Sequence, residues 1–142
     1  MKKVLATLVF LASIAVITKA QNGPVMSFEK TEIDYSNVVQ NSDGVRLFKF
    51  KNTGTEPLVI KNARGSCGCT VPKWPNDPIK PGQTAVIEVK YDTNRLGVFN
   101  KTVTVETNEA TGNNSHVIKI KGNVFEKKFE HLLNAQSSGK GK

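Results

Sequence analysis

The residues best suited to chemistry in this sequence are Cys67 and Cys69, its only two cysteines, separated by Gly68. Thiols at this spacing support three behaviours. They can form an inert bridge or pack as small apolar groups, they can exchange with an outside thiol, or they can hold a soft ion such as Cu(I). In an extended strand their Cα atoms would stand near the outer limit of about 6.8 Å for a disulfide, so a bridge requires the chain to turn at Gly68. A bridge closing so small a loop removes little unfolded-state entropy and is expected to be strained and reducible. Arg64 is near enough in sequence to favour a thiolate, but the glycine spacer lacks the helix N-terminus that activates CxxC sites. Tetrahedral zinc wants four ligands. Beyond the cysteines the chain offers only His116, His131 and two methionines, of which Met26 alone would survive removal of the first residues. No cofactor is therefore expected, and Cys67 with Cys69 is the only metal pair to weigh.

Trp74, the sole tryptophan, stands between Pro72 and Pro75. It is either an aromatic anchor for a ligand or a plug at a sheet junction, and a lone tryptophan on a loop of a small β domain ordinarily covers apolar surface. Cys67, Cys69 and Trp74 are thus the candidate binding or redox residues. Catalytic residues are not assigned. The sequence contains no Gly-x-Ser-x-Gly elbow, His-Glu-x-x-His, phosphate loop or dinucleotide fingerprint. Asp77, Asp92, Glu106 and Glu109 show no pairing visible in sequence, so acid–base machinery has no evident source and the chain is not expected to be an enzyme.

These residues sit in the stretch from Gly65 to Gly82, which also holds four of the six prolines. The segments around it read as β-strand. Short alternating runs at Val25–Phe28 and Ile33–Tyr35 precede a polar turn at Gln40–Gly44. Val45–Lys51 is a strand placing Phe48 and Phe50 on one face. Asn52–Pro57 reads as a turn in which Gly54 takes positive φ, leading into Leu58–Ile60 as the second arm of a hairpin. Pro81-Gly82 marks another turn. Thr84–Tyr91 then alternates, with Ile87, Val89 and Tyr91 inward and Glu88 and Lys90 outward. Val98–Glu106 and His116–Val124 form the last pair, with Phe99, Val103, Val105, Ile118 and Ile120 inward. Seven or eight short strands with Gly, Pro and Asn turns predict an all-β, immunoglobulin-like sandwich of two antiparallel sheets.

The termini differ in kind. Met1-Lys-Lys, the apolar run Val4–Ile17 and the small residues of Thr18-Lys-Ala20 predict a secretory signal over residues 1–20. The run is shorter than the roughly 20 residues of a comfortable membrane span, so no span is expected in the mature chain. Removing it takes three lysines and no acid from a net charge of +8, leaving +5 on 122 residues, the size of one domain. Nucleic acid is not expected as a partner. The charges are scattered singly along the sequence, and outside the cytoplasm such an excess favours anionic envelope surfaces or acidic partners. The sandwich domain is assigned to residues 21–125 and a tail to 126–142. In the tail Phe125, Phe129, Leu132 and Leu133 recur at helical spacing, which suggests a short amphipathic helix over Glu126–Ala135 followed by a flexible polar end.

Taken together, Phe48-Lys-Phe-Lys-Asn-Thr-Gly-Thr-Glu-Pro-Leu, Ser66-Cys-Gly-Cys-Thr-Val-Pro-Lys-Trp, Pro78-Ile-Lys-Pro-Gly, Tyr91-Asp-Thr and Gly97-Val-Phe-Asn-Lys-Thr resemble a bacterial family of exported immunoglobulin-like domains. That family is classed only as domain of unknown function 1573, and its sandwich is similar to the PapD, major-sperm-protein and Hydin types. The likeness spans about residues 26–124. It implies a seven-stranded sandwich and a periplasmic, cell-envelope or secreted address, and brings no activity, since fold alone does not supply one. The resulting expectation is a non-catalytic module that binds a protein or envelope partner through the cysteine loop or a sheet edge. The alternative is thiol redox or Cu(I) handling by Cys67 and Cys69.

Overall fold

The structure, a computed structural model, describes residues 22–110 and 112–129. Eight strands build it: β1 (Met26–Phe28), β2 (Glu32–Val39), β3 (Val45–Asn52), β4 (Ile60–Gly65), β5 (Thr70–Lys73), β6 (Thr84–Tyr91), β7 (Gly97–Thr107) and β8 (Ser115–Phe125). They form two four-stranded sheets, one in the order β1-β3-β6-β5 and the other β2-β8-β7-β4. The immunoglobulin-like sandwich read from the sequence is therefore the fold.

Period-two alternation explains both the pairing and the core. Phe48 lies opposite Ile87 and Phe50 opposite Ala85 on neighbouring strands. Val103 and Val105 pair with Ile118 and His116 across the β7–β8 hairpin. Phe48, Phe50, Ile87, Val89, Val103, Val105, Ile118 and Ile120 are all fully buried between the layers. Burying a side chain of this size contributes about 2 kcal/mol, and such terms dominate the folding free energy. The outward residues of the same strands are mostly polar or charged.

Three sequence expectations need correction. Leu58–Ile60 is not the second arm of a hairpin with β3. Leu58 makes only an isolated bridge to Ile79, and β4 begins at Ile60 in the opposite sheet. Apolar runs of this length do not say which sheet they join; the chain crosses between layers after Asn52, and Leu58 is fully buried in the core on the way. Gly54 does not adopt positive φ. It is needed for space, since a Cβ there would lie 2.1 Å from the Gly23 carbonyl oxygen. Finally, not every pair is antiparallel: β2 runs parallel to β8.

Of the tail, the described part is a single 3-10 turn, Lys127–Phe129. The remainder of the expected helix, His131, and the expected signal over residues 1–20 lie outside the described residues. No helix among the described residues is long and apolar enough to cross a membrane.

Candidate functional site

The cysteine stretch lies where the chain passes from one sheet to the other, between β4 and β5. Cys67 and Cys69 are joined by a disulfide with a Cα–Cα distance of 5.2 Å. The Thr70 amide donates to the Cys67 carbonyl (3.2 Å), closing the turn, and the Asp92 amide donates to the Cys69 carbonyl (2.9 Å), tying it to the end of β6. Cys69 is buried in the core and Cys67 is half-buried against it, while Gly68 is exposed. The Thr70 hydroxyl lies 3.7 Å from one sulfur and 3.8 Å from the other. With both sulfurs in the bridge neither is a thiolate, and among the described residues no group of three or more His, Cys, Asp or Glu side chains converges as metal ligands do.

The enabling glycine is not the one between the cysteines. Gly68 has open space around it and no left-handed φ. Gly65, at the end of β4, is the constrained one: a Cβ there would sit 2.1 Å from the Thr70 carbonyl oxygen, so the two strands pass at backbone contact. Arg64 is exposed on β4. Trp74 is half-buried and packs against the core just after β5.

Beyond the crossover, this end of the sandwich is closed by aromatic rings. Tyr91 stacks on Phe99 with ring centroids 3.8 Å apart, and Tyr35 meets Phe99 edge-on at 5.3 Å. The Arg46 guanidinium lies 4.1 Å from the centre of the Tyr35 ring. The Tyr35 hydroxyl donates to the Gly44 carbonyl at 2.9 Å, and burial pushes its pKa up to about 12. At the surface nearby, hydrogen bonds from the backbone and side chain of Asn94 hold the Asp92 carboxyl below its usual range, and Arg95 pairs with it at 3.3 Å.

The opposite end is polar, and sequence reading missed it. Glu109 is buried. One of its oxygens accepts the Met26 amide (2.9 Å) and the other accepts the Thr107 hydroxyl (2.7 Å) and contacts His116 Nε2 (2.5 Å). Asn52, with no exposed surface, does the same for the preceding residues. Its amide donates to the Glu56 and Ile79 carbonyls (2.7 and 2.8 Å), and its oxygen accepts from the Val25 and Gly54 amides (3.3 and 3.0 Å). The two side chains latch the start of the described chain onto the sandwich. Met26 is a buried core residue in that latched strand. The only sequence signal for the latch was that Glu109 and His116 flank one hairpin loop seven residues apart, a spacing without meaning until β7 and β8 pair.

These details decide which sheet edges are open. In an antiparallel ladder alternate residues turn their backbone groups outward. On β5 that turns Pro72, which has no N–H, to the free edge, and the outward amide of Thr70 is taken by Cys67. On β1 the outward amide of Met26 is taken by Glu109. The β4 edge abuts β5 at Gly65. The β2 edge is different: eight residues long, it pairs only with β8, and Glu32 and Asp34 turn their backbone groups away from it. A break in register between Asp34 and Asn37, with Ser36 at φ 55°, divides that edge in two. The hydrogen bond from Lys121 (2.6 Å) holds the Glu32 carboxyl below its usual range.

Among solved structures, the chain is similar to a protein of unknown function from Porphyromonas gingivalis W83, with TM-score 0.62 and 17% identity. That match covers 78% of this chain and 51% of the other, so the chain spans about half the length of that relative. It is also similar to the ASH/PapD-like domain 7 of human CEP192, with TM-score 0.56 and 10% identity over 80% of this chain and 96% of that domain. The Vibrio cholerae VesB protease matches with TM-score 0.54 and 12% identity, over 69% of this chain and 31% of the protease. Likenesses this remote in sequence establish the fold alone. No curated protein matches the chain in sequence. The profile of a family described as "Protein of unknown function (DUF1573)" matches residues 26–124, both ends of the sandwich and the cystine crossover included, and the chain belongs to that family.

Proposed function

We propose that this sandwich is an exported, non-catalytic binding module of the bacterial cell envelope, which recruits a protein partner by strand addition at the β2 edge. The observation that carries this reading is the unequal treatment of the four edges. Proline, the cystine turn, Glu109 and the strand contact at Gly65 each obstruct part of three of them, and the longest is left with outward amides and carbonyls. Unpaired strand edges recruit partner strands through main-chain hydrogen bonds. Export rests on the charged start and apolar run at the N-terminus. One observation favours a second reading, thiol–disulfide exchange: Cys67 is half-buried rather than sealed, so an external thiol has a route to the bridge.

Cross-linking capture from envelope extract separates the two. Glu32→Pro removes an outward N–H without touching the β8 ladder. It is expected to abolish capture of the partner, whereas Cys67→Ser/Cys69→Ser retains it. Capture that survives Glu32→Pro overturns the edge reading, and capture lost only in the folded double cysteine variant transfers the function to the thiols.

A further inference from the structure

Lysines that are dispersed in sequence are gathered by strand register onto one face. On the outer side of the β1-β3-β6-β5 sheet, Lys51 pairs with Thr84, Lys49 with Val86, Leu47 with Glu88, and Val45 with Lys90. β5 extends two of these rows by placing Val71 beside Lys90 and Lys73 beside Glu88. Lys49, Lys51, Lys73 and Lys90 are all exposed, and the face holds two acids, Glu88, which pairs with Lys73 at 3.7 Å, and Glu29 at its margin. Glu29 stands at the β1 edge opposite Lys49. Lys49, Lys51 and Lys90 form no ion pair among the described residues. Between the lysines lie Leu47 and Val71, 54% and 52% exposed. From strand rise and spacing the face measures roughly 20 Å by 14 Å.

The other sheet shows that this is not the general character of the surface. Its outward strand residues balance Glu32, Asp34 and Glu106 against Arg64, Lys119 and Lys121, with Lys121 bridging Glu32 at 2.6 Å and Asp34 at 3.9 Å. Lys61, at the β4 irregularity, and Lys101, in register with inward-facing Ile120, stand outside that balance.

We propose that the outer face of the β1-β3-β6-β5 sheet docks on an anionic lipid surface. The cations are all lysines and none is an arginine. Lysine is a hydrated point charge without the planar fork that grips individual carboxylates, and it suits a diffuse array of headgroup phosphates better than a specific acidic protein site. Leu47 and Val71 project from the same plane and enter the headgroup boundary as the lysines meet the phosphates. This face is separate from the β2 edge, so the inference stands independently of strand addition.

The test is co-sedimentation of the exported protein with vesicles of phosphatidylglycerol and phosphatidylcholine, set against phosphatidylcholine alone. Binding is expected only to the anionic vesicles and should fall steeply with salt. Lys49→Glu/Lys51→Glu/Lys90→Glu should weaken it by well over a hundredfold, at about fivefold for each lysine removed and more for each reversed. Lys61→Glu/Arg64→Glu/Lys119→Glu makes the same change of charge on the opposite sheet and should leave most binding intact. Equal losses in the two triple variants, binding to neutral vesicles that the lysine changes do not affect, or retention on polyglutamate without retention on vesicles would each overturn the proposal. If the reversed variant does not fold, Lys49→Gln/Lys51→Gln/Lys90→Gln replaces it, with the expected loss reduced to about a hundredfold.

Discussion

The two ends of the sandwich close by opposite chemistry. At the crossover end a disulfide and a backbone contact at Gly65 join β4 to β5, and a stacked pair of rings joins β6 to β7. At the far end two buried polar side chains, Asn52 and Glu109, gather the amides of Val25, Met26 and Gly54. The covalent link is the more conspicuous and the smaller contributor. A disulfide stabilises more the longer the loop it closes, growing with the logarithm of loop length, and this one closes almost none. A buried acceptor that satisfies several donors leaves all of them stranded when it is removed.

The largest effect is expected within the crossover itself. Gly65→Ala drives a methyl group into the Thr70 carbonyl and should destabilise the fold by about 4 kcal/mol, read by denaturant unfolding. A loss below 1 kcal/mol would mean that β4 and β5 separate freely. Glu109→Ala should cost about 3 kcal/mol, by stranding the Met26 amide and Thr107 hydroxyl, and should speed hydrogen exchange in β1 before the rest of the domain. Uniform exchange across the domain would contradict a local latch.

Next comes alkaline pH. The folded phenol of Tyr35 keeps its proton to about pH 12, whereas an unfolded tyrosine releases it near 10. Below about pH 10 this group leaves stability unchanged, and between about pH 10 and 12 it should remove about 2 kcal/mol. In Tyr35→Phe that part of the decline disappears, and an identical profile would show that the ring end does not sense pH through Tyr35. Cys67→Ser/Cys69→Ser is expected to cost only about 1.5 kcal/mol, a few degrees in melting temperature. A loss comparable to that of Glu109→Ala would reverse the ranking of the two ends. Smallest of all, Gly68→Ala should be neutral or stabilising by about 0.5 kcal/mol, since its Cβ meets nothing and its φ suits any residue.

How much of this was legible in the sequence depended on whether the signal was local. Alternation at Phe48, Phe50, Ile87 and Val89 announced half-buried strands, because period two is a property of an extended chain alone. The β5 strand was hidden by Pro72 and its neighbours, because an edge strand tolerates a proline that a central one does not. Gly54 reads as a turn glycine, and Gly65 only as the start of the cysteine stretch. Their real constraint comes from Gly23 and Thr70, and no local pattern carries a steric contact with another segment. Glu109 looked like a loop acid for the same reason.

What the sequence determined unaided was the class of architecture, the inward residues of its main strands and the isolation of the cysteine stretch, since alternation, turn chemistry and composition act over a few residues. Tertiary structure alone decided that the crossover links two sheets, that a buried glutamate secures β1, that β2 keeps an open edge, and that lysines far apart in the chain share one face. Each of these depends on strand register and sheet membership, which bring together residues separated by tens of positions and leave no mark on their immediate neighbours.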